Sequence, residues 1–215
     1  MKKPLGFSVQ GRSIQADLLG AGSQTVLFFG VFHGEEPESA EVVQKLVEHL
    51  EKHPELFKDR RVVLVPVVNP DGLAVGQRKN ARGVDLNRNF PTANWSPEGK
   101  ETDYWGGPEP ASEPETRLVM ELLENFKPDR IVSVHCPYRC VNYDGPGRKL
   151  AEAMAAQNGY PVEPSIGYPT PGSFGSYAGI EKRIATITLE LPPTGEEDVW
   201  NDNREALLVA LRGID

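Results

Sequence analysis

His33 and Glu36 stand three residues apart at the end of an apolar run, in VLFFGVFHGEEPESAEVV (residues 26–43). An imidazole nitrogen and a carboxylate oxygen are both ligands for zinc, at about 2.0–2.2 Å, and a catalytic zinc keeps one position for water. A turn leaving a strand can aim residues i and i+3 at one point, so this pair could grip a single cation. The alternative is a strand-end histidine bonded to a glutamate that caps the next helix, and an H-x-x-E alone does not decide between them. His135 ends a second apolar run, RIVSVH, and Glu190 lies near the end of a third, IATITLEL. A carboxylate inside such a run is costly to bury unless it meets a cation or a proton. Read structurally, His135 would be a hydrogen-bonded core histidine and Glu190 an edge-strand residue facing solvent. His49 and His53 fall on a charged helix and are expected to be solvated.

The other dense patch is GVDLNRNFP, residues 83–91. An Asn next to an Arg on a loop bounded by Gly and Pro suits the capture of a carboxylate. The guanidinium of Arg88 offers a two-donor fork and the amide of Asn87 adds a donor. Otherwise the loop is stabilised by its own Asn and Asp side chains. Arg78 and Arg82, just upstream, could polarise a carbonyl or bind an anion. Cys136 follows His135 directly, so a Cys-containing metal site is also a candidate, although no second Cys/His pair sits at finger-like spacing.

These residues must be positioned by the elements around them. Phe7–Gln10 and Ser13–Leu19 flank Gly11-Arg12 and predict a small hairpin. Val26–Phe32 predicts a buried strand, followed by a helix over Ser39–His53, with Pro37 in its first turn and Pro54 ending it. Arg61–Val68 predicts a second buried strand and Asn69-Pro70-Asp71-Gly72 a turn. Residues 76–107 form a long polar connection, and such a loop is more often functional than idle. Glu113–Phe126 predicts a helix with Ser112 as its cap and Glu115 at its third position. Arg130–His135 predicts a third strand, Arg148–Gln157 a helix, and 161–175 a Gly/Pro-rich loop. Ile184–Leu191 predicts a fourth strand, and Asn201–Arg212 a closing helix capped by Asn201 or Asp202. Alternating strands and helices predict a single α/β domain over residues 1–215, a mixed, mostly parallel twisted sheet with helices on both faces. Functional loops then gather at the carboxyl ends of the strands.

Composition narrows the partners. A net charge of −8 over 215 residues makes a nucleic-acid backbone an unsuitable partner. No window reaches the ~20 apolar residues of a membrane span, and no signal-peptide-like run follows the two N-terminal lysines. The two cysteines cannot build a disulfide framework. These features predict a cytoplasmic protein; they leave open whether it is a monomer or a homodimer.

Taken in order, HGEE after a strand, NPDG, GVDLNRNF, a later strand ending in His, and TLEL resemble the zinc carboxypeptidase family. GVDLNRNFPTANW (83–95), SEPET (112–116), TPGSFGSY (170–177) and ELPP (190–193) are similar to its bacterial murein peptide amidase branch, which cleaves the γ-D-glutamyl–meso-diaminopimelate bond of cell-wall peptides. The resemblance implies one zinc per chain on His33, Glu36 and His135, with Glu190 as general base and acid. It implies that Asn87 and Arg88 hold a substrate carboxylate, that Arg78 or Arg82 polarises the carbonyl, and that Phe174 lines the pocket for the released residue. Tyr168, with Tyr177 as rival, matches the family's mobile substrate-binding tyrosine. The implied substrate is a small murein tripeptide-like molecule. Alternatives are a small carboxypeptidase acting on α-peptides, an aspartoacylase-like acyl-amino-acid deacylase, or a zinc-bound module that binds wall peptides without turnover. Cys136-Pro137 stands where the amidases carry Asp-Pro.

Overall fold

The computed structural model of the chain describes residues 2–193, 195 and 198–214. Its strands are β1 (Lys2–Phe7), β2 (Ser13–Leu19), β3 (Gln24–Phe29), β4 (Arg60–Val65), β5 (Arg130–His135), β6 (Cys140–Asp144), β7 (Val162–Glu163) and β8 (Ala185–Glu190). Its α-helices are α1 (Pro37–Lys52), α2 (Pro70–Val75), α3 (Pro114–Phe126), α4 (Arg148–Asn158) and α5 (Val199–Arg212). The strands form one sheet in the order β1-β2-β4-β3-β5-β8-β6-β7. Neighbours from β4 through β3 and β5 to β8 are parallel, and β2 and β6 join that centre antiparallel. The mixed, mostly parallel α/β architecture predicted from the sequence is the one observed.

The central strands are apolar almost throughout because both of their faces are covered. Val26, Phe28, Val62, Leu64, Val132, Val134, Ile187 and Leu189 point toward α1, α4 and α5. Leu27, Phe29, Val63, Val65 and Ile131 alternate to the other face, against Val119, Leu122 and Leu123 of α3 and the loop residues Leu86 and Phe90. Helix α1 presents Val42, Val43, Leu46, Val47 and Leu50, the i, i+4, i+8 stripe of a helix with one buried face.

Several boundaries differ from expectation, each for a local reason. Strand β3 stops at Phe29 rather than Phe32, and β4 at Val65, just before Pro66, which has no N–H for a ladder. The chain then leaves the sheet at Val31, a β-branched residue at φ 44°. Its N–H donates to Ser39 Oγ and its carbonyl accepts from the Asn69 N–H, which hold it in the left-handed region. Asn-Pro-Asp-Gly is not a free turn: Asn69 caps α2, its Oδ1 accepting from the Gly72 N–H. Helix α3 starts at Pro114 with Glu113 at the cap position, because Ser112 Oγ is engaged by Asn89 and by Glu113 itself. Helix α5 is capped one turn earlier than expected, by Asp198. The first strand of the hairpin is Lys2–Phe7, and Ser8–Arg12 is its turn. Strand β6 is unpredicted; CVNYD is too short and too mixed to show a period.

That hairpin turn is tied down by one carboxylate. Asp71, buried in α2, accepts from Ser8 Oγ at 2.8 Å, from the Gln10 N–H at 2.9 Å and from Arg12 Nη1 at 2.6 Å. Burial disfavours its charge, but the Gln10 N–H, Arg12 and Ser8 outweigh that and hold its pKa below the ordinary 3.8. A depressed folded-state pKa stabilises the protein above the unfolded value, and the contribution is lost as pH falls through the folded value. Asp71→Asn is therefore expected to cost about 1–3 kcal/mol at pH 7. Urea unfolding of both proteins at pH 7 and pH 3 checks this: the deficit shrinks in acid, whereas a deficit constant down to pH 3 would contradict the assigned role.

Candidate active site

The sheet changes direction of winding between β3 and β5: the chain goes from β3 through α1 to β4 on one side, then returns to β5 on the other. A crevice opens at the carboxyl ends of strands at such a switch point. His33 and Glu36 lie on the connection from β3 to α1, His135 is the last residue of β5, and Glu190 the last of β8. His135 and Glu190 are register partners across β5 and β8, so both project to the same face.

His33, Glu36 and His135 are all buried, and one donor atom of each lies within 4.8 Å of the others. Glu36 bridges the two rings, Oε1 lying 2.7 Å from His33 Nδ1 and Oε2 3.0 Å from His135 Nδ1. Burial opposes its charge, yet the two histidines hold its pKa down to about 2, so an anionic oxygen faces two imidazoles. Two ring nitrogens and one carboxylate, all buried and converging on one point, fit the zinc donor set. The remaining ring nitrogen of His33, Nε2, meets Asp85 Oδ1 at 3.2 Å, an outer partner that fixes the ring's orientation. Burial disfavours a proton on His33, but Glu36 and Asp85 reverse this and raise its pKa to about 9.

Asp85 was not singled out in the sequence, though it sits inside GVDLNRNF. It is fully buried. Its Oδ2 accepts from Nε and Nη2 of Arg78 at 3.0 and 2.8 Å, and its Oδ1 accepts from the Asn87 N–H at 2.9 Å. One carboxylate thus ties a metal-site histidine to the arginine and to the Asn-Arg pair. The backbone nearby is held as tightly: a Cβ on Gly34 would lie 2.0 Å from the Gly72 carbonyl carbon, so HGEE and NPDG pack main chain to main chain.

A cleft of about 380 Å³ runs over these groups. Its walls include His33, Glu36, His135, Arg78, Asn87, Arg88, Tyr168 and Glu190. Asn87 Oδ1 accepts from the Phe174 N–H at 2.8 Å, which leaves its amide NH₂ as the free end. Arg88 is buried, and its Nη1 donates to the Asn87 carbonyl at 2.6 Å. The guanidinium carbons of Arg78 and Arg88 sit 5.0 and 5.6 Å from the Tyr104 ring, which joins Tyr168 and Tyr138 in an aromatic row along the mouth. Burial and a hydrogen bond with Tyr138 raise the Tyr168 phenol to about 12, so it stays neutral. Glu190 is 5% exposed, and its Oε2 finds no partner among the described residues.

Three expected positions lie elsewhere. Arg82 is away from the cleft, its side chain 55% exposed and 3.6 Å from Glu113. Phe174 is 1% exposed in the core, packed on Phe29, Phe32 and Phe90. It does not line the cleft; its backbone N–H is what reaches the site. Tyr177 stacks on Phe90 in the same cluster. Cys136 borders the cleft but is no part of the metal-ligand cluster among the described residues, and burial pushes its thiol well above the ordinary range.

The long 76–107 connection is rigid because its asparagines are spent on it. Asn80 Oδ1 accepts from the Arg82 and Val84 N–H groups, and its Nδ2 donates to Glu113 and Glu115. Asn89 Nδ2 donates to the Gly106 and Glu109 carbonyls and to Ser112 Oγ. SEPET is therefore the brace of GVDLNRNF.

Comparison with known proteins agrees with this geometry. Residues 2–145 match the family described as zinc carboxypeptidase. The chain is 36% identical over 213 residues to murein peptide amidase A of Escherichia coli (strain K12), covering 91% of this chain and 85% of that protein. It is 32% identical over 131 residues to the catalytic chain of carboxypeptidase N of Homo sapiens, covering 47% and 28% of the two chains. A crystal structure of murein-tripeptide amidase from Escherichia coli O157 superposes with a TM-score of 0.80 at 32% identity, over 100% of this chain and 92% of that one. Carboxypeptidase A of Helicoverpa armigera shares the fold, with a TM-score of 0.87 at 19% identity over 99% and 68%. The protein is thus a peptidase by descent as well as by site, and it belongs to the zinc carboxypeptidase family.

Proposed function

We propose that the enzyme hydrolyses the γ-D-glutamyl–meso-diaminopimelate bond of murein peptides, with one zinc ion held by His33, Glu36 and His135. Hydrolysis is supported above all by Glu190, a buried carboxylate with a free oxygen in the same cleft as the triad. A murein peptide as substrate is supported by the relatives described as murein peptide amidase and murein-tripeptide amidase, which align over nearly all of the chain. A zinc ion, when bound, supplies Lewis acidity toward water and toward a carbonyl oxygen.

The chain's own residues do the rest. Glu190 takes the proton of the attacking water and returns it to the leaving nitrogen. Burial raises its carboxyl above the ordinary range; His135 works against that shift and Glu36 with it. A group that must first accept a proton and then give it back is best poised near the working pH. Arg78 receives the developing oxyanion, a role supported by its position on the cleft wall and by the two hydrogen bonds that orient it on Asp85. Asn87 and Arg88 hold the α-carboxylate of the released residue. We assign this activity to residues 1–215 as one catalytic domain acting on murein fragments in the cytoplasm. Incubation of the zinc-loaded protein with L-Ala-γ-D-Glu-meso-diaminopimelate and with α-linked dipeptides, followed by mass analysis, tests the assignment. Release of diaminopimelate from the γ-linked substrate is expected; cleavage of α-linked peptides alone would identify an ordinary small carboxypeptidase.

Removing one of three ligands opens the site, so His33→Ala is expected to lose metal and turnover together. Elemental analysis that found full zinc occupancy in this variant would overturn the ligand assignment. Glu190→Gln should keep zinc and fold but lose about 10²–10⁴-fold in turnover, because an amide cannot accept the proton. Activity close to wild type would make Glu190 structural.

Arg88→Ala should slow substrates with a free carboxylate on the released residue by roughly tenfold or more in kcat/KM, the worth of a charge-assisted hydrogen bond. The amidated analogue, already poor, should change little, and Arg88→Lys should recover only part of the loss. Equal declines on both substrates, with a lower melting temperature, would show that Arg88 only pins its loop.

A further inference from the structure

Two guanidiniums share one aromatic ring at the mouth of the cleft. The guanidinium carbons of Arg78 and Arg88 lie over the Tyr104 ring, 5.0 and 5.6 Å from its centroid, and all three residues line the cleft. Like charges that face one crevice repel each other and turn toward solvent unless something of opposite sign holds them. The face of a tyrosine ring is such a partner, because its π electrons carry partial negative charge.

The two arginines are not held alike. Arg78 gives Nε and Nη2 to Asp85 Oδ2, and its Nη1 lies 3.7 Å from Glu35. Arg88 is 3% exposed, but its Nη1 donates only to the carbonyl of its neighbour Asn87, and among the described residues it has no ion pair of its own. A carboxylate partner would occupy the two-donor fork that Arg88 must offer to a substrate. A ring beneath the guanidinium plane holds the charge and leaves those N–H groups free.

Tyr104 is 50% exposed, yet its segment is stitched to the same loop. Its N–H donates to Thr102 Oγ1 at 3.2 Å, and Asp103 lies 3.5 Å from Lys79 Nζ. The Trp105 carbonyl accepts from the Asp85 N–H at 2.8 Å. A Cβ on Gly106 would lie 2.3 Å from the Arg88 carbonyl oxygen, so main chain meets main chain there too. We infer that Tyr104 is a positioning residue: its ring, braced by Arg78 and by its own backbone, holds the Arg88 fork toward the substrate carboxylate. This rests on the proposed role of Arg88 and adds the residue that keeps that fork available. Arg78 retains Asp85 without the ring, so removing the ring weakens carboxylate binding and raises KM far more than it lowers kcat.

The test compares zinc-loaded wild type, Tyr104→Phe, Tyr104→Leu and Arg88→Ala on a γ-D-glutamyl-diaminopimelate peptide and on its analogue amidated at the α-carboxylate beside the scissile bond. Tyr104→Phe keeps the ring; Tyr104→Leu keeps apolar bulk and removes the π face. On the free acid, Tyr104→Leu should lose about three- to thirtyfold in kcat/KM, the range of a cation–π contact, nearly all of it through KM. Tyr104→Phe should stay within about twofold of wild type, as should both variants on the amide, at unchanged zinc content and melting temperature. In Tyr104→Leu/Arg88→Ala the ring has no fork left to hold, so no loss beyond that of Arg88→Ala is expected. Equal losses on acid and amide, a Tyr104→Phe as impaired as Tyr104→Leu, or additive losses in the double variant would overturn the inference. If Arg88→Ala discriminates acid from amide and Tyr104→Leu does not, this inference fails alone; if neither does, the role of Arg88 fails and the inference with it. Should wild type cleave only α-linked peptides, the γ-glutamyl reading fails while the same acid and amide in α-linked form test Tyr104. Should nothing turn over, calorimetric binding of acid and amide reads the same contact. Wild type should then prefer the acid and Tyr104→Leu should lose most of that preference; an undiminished preference in Tyr104→Leu, or none in wild type, would overturn it.

Discussion

A buried carboxylate that keeps its charge is the interaction on which the site depends. Asp85 has no exposed surface, so its ionised form survives only because every oxygen is used. Burial would raise its pKa, but His33, Arg78 and Arg88 hold it far below the ordinary range. A charge fixed in this way cannot move without stranding its partners, and a stranded buried ion costs several kcal/mol, about 3–5. His33 cannot turn its ring, Arg78 cannot swing out, and the Asn87 backbone cannot relax while Asp85 is bonded to all three. The candidate metal site and the Asn87–Arg88 pair come from chain segments some fifty residues apart in sequence, with His33 and Asp85 separated by 52 positions. Their relative geometry is set by this one side chain.

The sheet explains why such expensive groups can be gathered there at all. The central strands are covered on both faces by Val, Ile, Leu and Phe, which leaves the polar residues to the strand ends. At the switch point between β3 and β5 two such ends open on a common crevice, and β8 adds a third alongside. The strain at Val31 belongs to the same arrangement. By leaving the sheet abruptly, the chain brings His33 back over the end of β5, where its ring lies 4.9 Å from that of His135.

How much of this was legible in the sequence follows from how far each signal reaches along the chain. The buried strands, the stripe of α1 and the convergence of His33, His135 and Glu190 on strand ends could be read, because hydrophobic period and position in an element are local properties. GVDLNRNF could be marked as a functional loop from its Asn and Arg. Asp85, in the middle of that motif, passed unremarked because its value lies in partners at 33 and 78, which no local pattern displays. Phe174 failed in the opposite way. Its motif does shape the site, but through a backbone N–H, and a phenylalanine's backbone leaves no trace in its identity. Arg78 and Arg82 were indistinguishable as letters; only the Asp85 carboxylate on one and Glu113 on the other separates them. Strand β6 was missed because its polar residues are the wall of the cleft, so its alternation resembled a loop.

That last error is informative about how the cleft is built. On β6 the outward face of the core is apolar, Val141 being fully buried, while Asn142 and Asp144 turn polar groups to the cleft. The strand carries none of His33, Glu36 and His135, the candidate metal ligands. Glu190 ends β8 and Asp144 ends β6, on neighbouring antiparallel strands whose register fixes the interval between them. Asp144 lines the cleft without taking part in the Asp85 network. The wall that β6 gives the cleft is therefore built separately from the Asp85 carboxylate, which holds His33, Arg78 and the Asn87 backbone.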